Sequence, residues 1–208
     1  IKAELEPRGL DVIAFQSLLY ELKYSIFENP DAKGDTRGAR VIDHLVKVDR
    51  AAGELGVRIT VFGSPSNRKR GPMNYDLAWE RAIQFFRDLA PKLQHTKLVI
   101  EANPIEYNCD FMTNVEESAW MCYRVNREQI GVSFDTGCQA MAGGNVADQL
   151  KAHVHKVSHV HLSEPGMGVL SSSWHKEVAK VLRNYDGYAS IEMNLLYGFA
   201  GLEESIKF

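Results

Sequence analysis

Two periods of apolar and polar positions alternate along the chain, one typical of strands and one typical of helices. The apolar runs that predict strands are Leu10–Phe15, Val57–Phe62, Lys97–Ala102, Gly131–Phe134, Val157–His161 and Gly187–Glu192. The segments that predict the main helices between them are Arg37–Leu55, Asn74–Ala90, Thr113–Asn126, Asn145–Val154 and Ser172–Tyr185. Thr113 and Glu116 have the spacing of a capping box that opens the third of these helices. Regular strand–helix alternation predicts a parallel sheet covered by helices.

The number of strand–helix units predicts an incomplete barrel. A (β/α)8 barrel typically needs about 250 residues, whereas this chain has 208 residues and six units. No repeat or linker divides it, so we expect one α/β domain over residues 1–208 that lacks two βα units. A doubly wound sheet is the alternative, but no G-x-G-x-x-G motif follows the first strand. Ser25–Thr36 contains Pro30 and Gly34 and is predicted to be a surface loop.

Four consecutive predicted strands finish in a residue that can bind a metal ion. Glu101, Asp135, His161 and Glu192 close these strands, with spacings of 34, 26 and 31 residues. One βαβ repeat takes roughly 30 residues, so the polar ends recur once per unit. In an α/β barrel the active site lies at the C-terminal ends of the strands. The four side chains are therefore expected to lie around one site.

The third of these strands belongs to the segment Val157–Pro165, which begins as an apolar–polar alternation and then breaks into a polar turn. A strand period of two puts His159 and His161 on the same face. His159 is one step deeper in the sheet and is interpreted as a packed core histidine. Glu164 in the turn is interpreted either as a group that hydrogen-bonds a metal ligand or the substrate, or as a solvated turn carboxylate.

A bound cation is the stronger explanation for the four strand-end residues. A single polar residue at a strand end is ordinarily satisfied by its surroundings. Burying several carboxylates without a cation is very costly, however, because each charge loses its hydration. One imidazole with three carboxylates is a mostly oxygen donor set, which predicts Mn²⁺, Mg²⁺ or Co²⁺, with Zn²⁺ as the alternative.

Composition narrows the class of partner. The net charge of −3 and the pI of about 6.2 provide no electrostatic footprint for nucleic acid or for an anionic membrane. No apolar run approaches the length of a membrane span. The three cysteines form no C-x-x-C pair and no even disulfide framework. We therefore expect reduced thiols, a cytoplasmic location, and neither nucleic acid nor a membrane as a partner.

Four short motifs, I-E-A-N-P, F-D-T-G, H-V-H-L-S-E-P and S-I-E-M, resemble those of the xylose isomerase-like TIM barrels. F-G-S-P-S-N-R at 62–68 is similar to the loop after the fourth strand of that family. The resemblance implies a (β/α)8 barrel whose strands five to eight supply the metal ligands Glu101, Asp135, His161 and Glu192. The strands near Asp11 and Val57 would then be the third and fourth. The chain is therefore expected to lack the first two βα units, at its N-terminal side.

Two positions depart from the family pattern. Many relatives have a histidine three residues after the aspartate of strand six, whereas this chain has Cys138. The endonuclease branch needs further histidine and aspartate ligands after the histidine of strand seven, and Ser163 to Leu170 supplies none. The second departure disfavours a multi-zinc nuclease.

Candidate substrate contacts come from the loops that follow the strands; they are Glu164, Asn103, Ser64, Arg68 and Cys138. The basic loop from Ser64 to Arg70 suits a phosphate or a sugar acid, and a solvated basic loop is the equal alternative. Cys138 is also readily explained as a small buried thiol.

The resemblance implies a metal-dependent isomerase or epimerase of a small sugar, sugar phosphate or keto-acid. Its two catalytic carboxylates, Glu101 and Glu192, would transfer a proton through an enediolate. A dehydratase on the same site, an apurinic-endonuclease-like phosphodiesterase and an inactive barrel fragment are the alternatives. An open barrel exposes sheet edges unless a partner covers them, which leaves a homo-oligomer open.

Overall fold

The computed structural model describes residues 2–29 and 38–208. Residues 30–36 of the predicted surface loop, and Arg37 at the start of the first predicted main helix, lie outside the described residues. The chain forms two compact units, one with residues up to 100 and Met121–Gly131, the other with Glu101–Trp120 and Val132–Phe208.

In the first unit, strands and helices alternate as predicted. The elements are α1 (Lys2–Leu5), β1 (Ala14–Phe15), α2 (Ala39–Glu54), β2 (Ile59–Phe62), α3 (Tyr75–Leu89) and β3 (Lys97–Glu101), whose last residue belongs to the second unit. β1 pairs with β2 and β2 with β3, both parallel. The first strand is shorter than the predicted Leu10–Phe15, because only Ala14 and Phe15 have partners on β2.

The later elements are α4 (Val115–Val125), β4 (Ile130–Asp135), α5 (Thr136–Ala142), α6 (Val146–His153), β5 (Val157–Leu162), α7 (His175–Leu182), β6 (Ala189–Ile191) and α8 (Gly198–Lys207). β4 pairs with β5 and β5 with β6, again parallel. The six strands form one sheet in chain order. The predicted parallel α/β arrangement of six strands with flanking helices is confirmed.

Local hydrogen bonds explain where the helices differ from the predictions. The cap of α4 is Asn114, whose Oδ1 accepts from the Glu117 amide at 2.9 Å, so the capping box predicted from Thr113 and Glu116 is wrong by one residue. The side chain of Glu117 in turn accepts from the Thr113 amide. Helix α5 was not predicted; it begins directly after β4, where the Asp135 side chain accepts from the Cys138 amide.

A buried carboxylate on α2 holds the loop that leads into β3. Asp49 is 2% exposed, and its oxygens accept from the amides of Gln94, His95 and Thr96 at 2.9, 3.3 and 2.8 Å. The Thr96 hydroxyl adds a fourth donor at 2.9 Å. Asp49 thereby fixes the start of β3, the strand that ends in Glu101.

We expect Asp49→Ala to lower the free energy of unfolding by about 2–4 kcal/mol, because buried donors would lose a charged acceptor. Asp43→Ala is the matched control, since Asp43 is exposed on the same helix and its replacement should change stability by about 0.5 kcal/mol or less. Urea denaturation measures both. Equal stability of the two variants would contradict the role of Asp49.

Candidate metal centre

The four strand-end residues lie together in the second unit. Glu101 and Asp135 are the last residues of β3 and β4, His161 lies near the end of β5, and Glu192 directly follows β6. One ligand atom from each of the four lies within 4.8 Å of the others. Nδ1 of His161 is 2.8 Å from Glu101 Oε2, 3.0 Å from Glu192 Oε2 and 3.8 Å from Asp135 Oδ2. The Glu192 side chain is 22% exposed, and the other three are buried.

The charges in this cluster are unbalanced. Burial, reinforced by the neighbouring carboxylates of Glu101 and Glu192, raises the pKa of Asp135 to about 7. Burial alone would lower the pKa of His161, but hydrogen bonds to Glu101 and Glu192 outweigh it and raise that pKa well above its ordinary value. Asp135 and His161 therefore hold protons that a cation would displace. Because the donors are three oxygens and one nitrogen at close range, the residues present fit a divalent metal ion.

His159 supports the cluster from inside the sheet. It is fully buried, its ring meets that of His161 edge to face at 5.0 Å, and its Nε2 lies 3.3 Å from the Ser190 hydroxyl oxygen. Burial and the neighbouring His161 lower the pKa of His159 to about 4, so the ring is neutral. This agrees with its interpretation as a packed, hydrogen-bonded core histidine.

Two of the predicted substrate contacts lie beside the cluster. Asn103 Nδ2 donates to Glu101 Oε1 at 3.0 Å and lies 3.8 Å from Cys138 Sγ. Both residues are buried. Burial, with the charges of Asp135 and Glu101, raises the pKa of the Cys138 thiol, which keeps it protonated. The contact of either residue with substrate stays a prediction.

Glu164 is engaged inside the protein, where it anchors the loop between β5 and α7. Its carboxylate accepts from the amides of Ser171 and Ser172 at 2.7 Å each and from the Ser172 hydroxyl at 2.5 Å. Nε2 of His175 lies 3.2 Å from the same carboxylate. These bonds explain why α7 begins at His175 instead of the predicted Ser172. Burial alone would raise the pKa of Glu164, but the hydrogen bonds from Ser172 and Ser171 lower it. A solvated turn carboxylate is therefore excluded, and a substrate contact stays a prediction.

Replacing Glu164 with Ala should release this loop, because three serine donors would lose their acceptor. We expect the free energy of unfolding to fall by about 1–3 kcal/mol and hydrogen exchange at the Ser171 and Ser172 amides to accelerate. Since the pKa of Glu164 is lowered in the fold, its contribution is present above the ordinary carboxyl pKa and lost as the pH falls through the lowered one. The difference between parent and variant should accordingly shrink in acid.

Glu177→Ala is the matched control for this loop. Glu177 is an exposed residue on α7 that pairs with Lys180, and exposed pairs contribute about 0–1 kcal/mol. Unchanged exchange at Ser171 and Ser172 in Glu164→Ala would contradict the anchoring role.

The basic loop belongs to the other compact unit. Arg68 is fully buried, and its guanidinium donates to the backbone oxygens of Phe62 and Gly63. Arg70 donates to the oxygens of Gly71 and Met73. Ser64 is partly exposed in a left-handed conformation with φ of 43°. Arg68 therefore braces its own loop, and anion binding by Ser64 and Arg68 stays a prediction.

One residue beside the cluster, Ser163, was not assigned a role at the site from the sequence. The Ser163 hydroxyl donates to Asp135 Oδ1 at 2.8 Å, and its only sequence signal was its place two residues after His161. The Tyr107 hydroxyl accepts from the Gly166 amide at 3.2 Å. Burial, and to a lesser degree the charges of Asp135 and Glu192, raise the pKa of Tyr107.

Comparison with known proteins identifies the fold. The profile of the xylose isomerase-like TIM barrel family matches residues 1–208. No curated protein sequence matches the chain.

Among the described residues, no helix is both long and apolar enough to span a membrane.

Solved structures of similar fold include an epimerase and a nuclease. A 3-keto-D-glucoside 4-epimerase from E. coli has 15% identity and a TM-score of 0.77 over 100% of this chain and 83% of that one. An AP endonuclease of family 2 from Brucella melitensis has 20% identity and a TM-score of 0.73 over 93% and 76%. An IolI protein with a bound zinc atom has 15% identity and a TM-score of 0.67 over 99% and 78%. At identities below 25% these structural matches show the fold alone, and the predicted TIM-barrel type is confirmed.

Proposed function

Because the chain belongs to the xylose isomerase-like TIM barrel family, we propose that it is a divalent-cation-dependent isomerase or epimerase of a small sugar, sugar phosphate or keto-acid. One observation carries the proposal: Glu101, Asp135, His161 and Glu192 converge with ligand atoms within 4.8 Å of one another. The similar fold of a sugar epimerase and the zinc atom in the IolI structure support it.

Isomerisation or epimerisation next to a carbonyl removes a proton from carbon and returns it to another carbon or to the other face. Epimerisation needs one proton-exchanging group on each face of the reacting carbon, and isomerisation needs at least one such group near the two carbons. Glu101 and Glu192 reach the cluster from different strands, β3 and the end of β6. We assign one carboxylate to take the proton and the other to return it, while Asp135 and His161 serve as ligands.

The four side chains would hold Mn²⁺, Mg²⁺ or Co²⁺, with Zn²⁺ as the alternative. A bound cation would polarise the carbonyl and hydroxyl oxygens of the substrate and so favour loss of the adjacent proton. Asn103 donates to Glu101 Oε1 and thereby orients that carboxylate. Glu101, Asp135 and His161 are buried, and a low-polarity setting strengthens the electrostatic interactions between such groups.

A metal analysis followed by a substrate screen tests the proposal. The purified protein should bind about one divalent cation per chain, and the loaded protein should convert a ketose, a ketose phosphate or a cyclic polyol ketone. In D₂O, deuterium should enter the product at the carbon next to the carbonyl. Incision of abasic DNA that depends on Asp135, with no conversion of sugars, would overturn the proposal in favour of a phosphodiesterase.

A further inference from the structure

The two oxygens of the Asp135 carboxylate have different surroundings. Oδ1 accepts from the Ser163 hydroxyl at 2.8 Å and from the Cys138 amide at 2.6 Å. Oδ2 is the oxygen that faces the other ligands, 3.8 Å from Nδ1 of His161. Asp135 is 6% exposed. Its carboxylate is therefore held through Oδ1, and Oδ2 is left to bind the cation.

Ser163 is itself fixed by the segment that follows β4. It is 2% exposed, its amide donates to Thr136 Oγ1 at 2.8 Å, and its carbonyl accepts from that same hydroxyl at 2.8 Å. The Gly137 amide donates to Ser163 Oγ at 2.9 Å. A carboxylate that binds a cation is ionised and only accepts, so in that state the Ser163 hydroxyl donates its proton to Asp135 Oδ1.

The close approach of these segments requires glycine at 137. A Cβ placed on Gly137 would lie 2.7 Å from Ser163 Oγ and 2.7 Å from both the carbonyl carbon and oxygen of Glu164. The obstacle includes backbone, so a side chain at 137 would push Ser163 away from Asp135. The contact between the start of α5 and the end of β5 therefore sets the position of the hydroxyl.

We propose that Ser163 is a positioning residue that makes Asp135 a one-oxygen ligand, binding the cation through Oδ2 only. This inference rests on the proposed function, because it concerns the same cation. With Oδ1 held by two donors, the carboxylate cannot rotate to chelate with both oxygens. The hydrogen bond from Ser163 also stabilises the negative charge of the Asp135 carboxylate, which lies beside the carboxylates of Glu101 and Glu192.

Removing the hydroxyl tests the proposal through metal affinity. We expect Ser163→Ala to weaken Mn²⁺ binding by about 10- to 100-fold, the usual effect of losing a group that orients a ligand. Ser133→Ala is the matched control, because Ser133 is a buried serine on β4 whose hydroxyl lies 3.5 Å from the His159 carbonyl oxygen. Its affinity should stay within about threefold of the parent. Isothermal titration calorimetry with Mn²⁺ measures all three proteins.

A second pair of variants tests the contact between Ser163 and Asp135 by adding a side chain at a nearby glycine. Gly137→Ala should weaken Mn²⁺ binding, whereas Gly168→Ala should not, since a Cβ on Gly168 meets Glu164 Cβ at an ordinary 3.7 Å. The absorption spectrum of the Co²⁺ form provides a readout of coordination that a purely structural role would not move. The Co²⁺ spectrum should change in Ser163→Ala and stay unchanged in Ser133→Ala.

A crystal structure of the unmodified protein with Mn²⁺ keeps the proposal testable even when variants fail to fold. Oδ2 of Asp135 should lie at a ligand distance of roughly 2.0–2.6 Å, with Oδ1 still bonded to Ser163. Both oxygens on the cation, or equal Mn²⁺ affinity of parent and Ser163→Ala, would overturn the inference and leave the proposed function standing. A parent protein that binds no cation would overturn both.

Discussion

Replacing either Glu101 or Glu192 with Gln should lower turnover by about 10²- to 10⁴-fold, the usual contribution of a general base. Glutamine keeps the shape of the side chain and one oxygen that can face the cation, but it cannot accept the substrate proton. Metal binding should therefore survive in part while proton transfer fails. These measurements use the sugar or keto-acid that the substrate screen identifies. For each variant, kcat tests proton transfer and the Mn²⁺ affinity tests metal binding.

The control for these variants is Glu106→Gln, because Glu106 is exposed in the loop after β3 and has no place in the cluster. Its turnover should match that of the parent. Deuterium exchange separates the two bases: the variant that lacks the proton-abstracting group should fail to exchange the substrate proton with D₂O. Full turnover in both Gln variants would leave the proposed reaction without its bases.

Removing the cation should abolish turnover and destabilise the protein. A ligand at 100 times its Kd stabilises the folded state by about 2.7 kcal/mol, which for a chain of this size corresponds to a Tm change of roughly 5–11 °C. Chelation followed by dialysis should lower Tm by that amount, and Mn²⁺ should restore it. A control titration with Na⁺ should have no effect. An unchanged Tm with retained turnover would exclude a cation-dependent reaction.

The size of this effect should depend on pH. In the metal-free protein the pKa of Asp135 is raised to about 7, so between its ordinary pKa and 7 the folded state binds a proton that the unfolded state releases. Stability of the metal-free protein therefore falls as the pH rises through that interval. The raised pKa of His161 acts in the same direction, because its stabilisation is lost as the pH rises. A cation replaces these protons, so Mn²⁺ should raise Tm more at pH 8 than at pH 5.

The location of the site could be predicted from the sequence because parallel strands all end at one edge of the sheet. Glu101, Asp135, His161 and Glu192 each close an apolar run, and one residue per βα unit is enough to predict convergence. The face of β5 that carries His161 was also predictable, since a period of two puts His159 and His161 on one face. The length of the first strand was overestimated, because an apolar run does not reveal how many of its residues pair with a neighbouring strand.

Hydrogen-bond partners at the site were decided by the tertiary structure. Glu164 is seven to eleven residues from the donors that engage it, and Ser163 is 28 residues from Asp135. Arg68 belongs to a basic loop, yet its guanidinium turns inward to nearby carbonyls. Nothing in a sequence pattern distinguishes such a side chain from a solvated one.

The sequence by itself determined which residue types stand at the strand ends and therefore which chemistry the site can hold. That information is local, because strand period and strand direction depend on the chain close to each residue. Only the tertiary structure decided which oxygen of Asp135 faces the cluster and which side chains brace their own loops. Those outcomes depend on contacts at atomic distances, within one folded loop as at Arg68 or between segments far apart in the chain, such as the approach of Gly137 to Ser163.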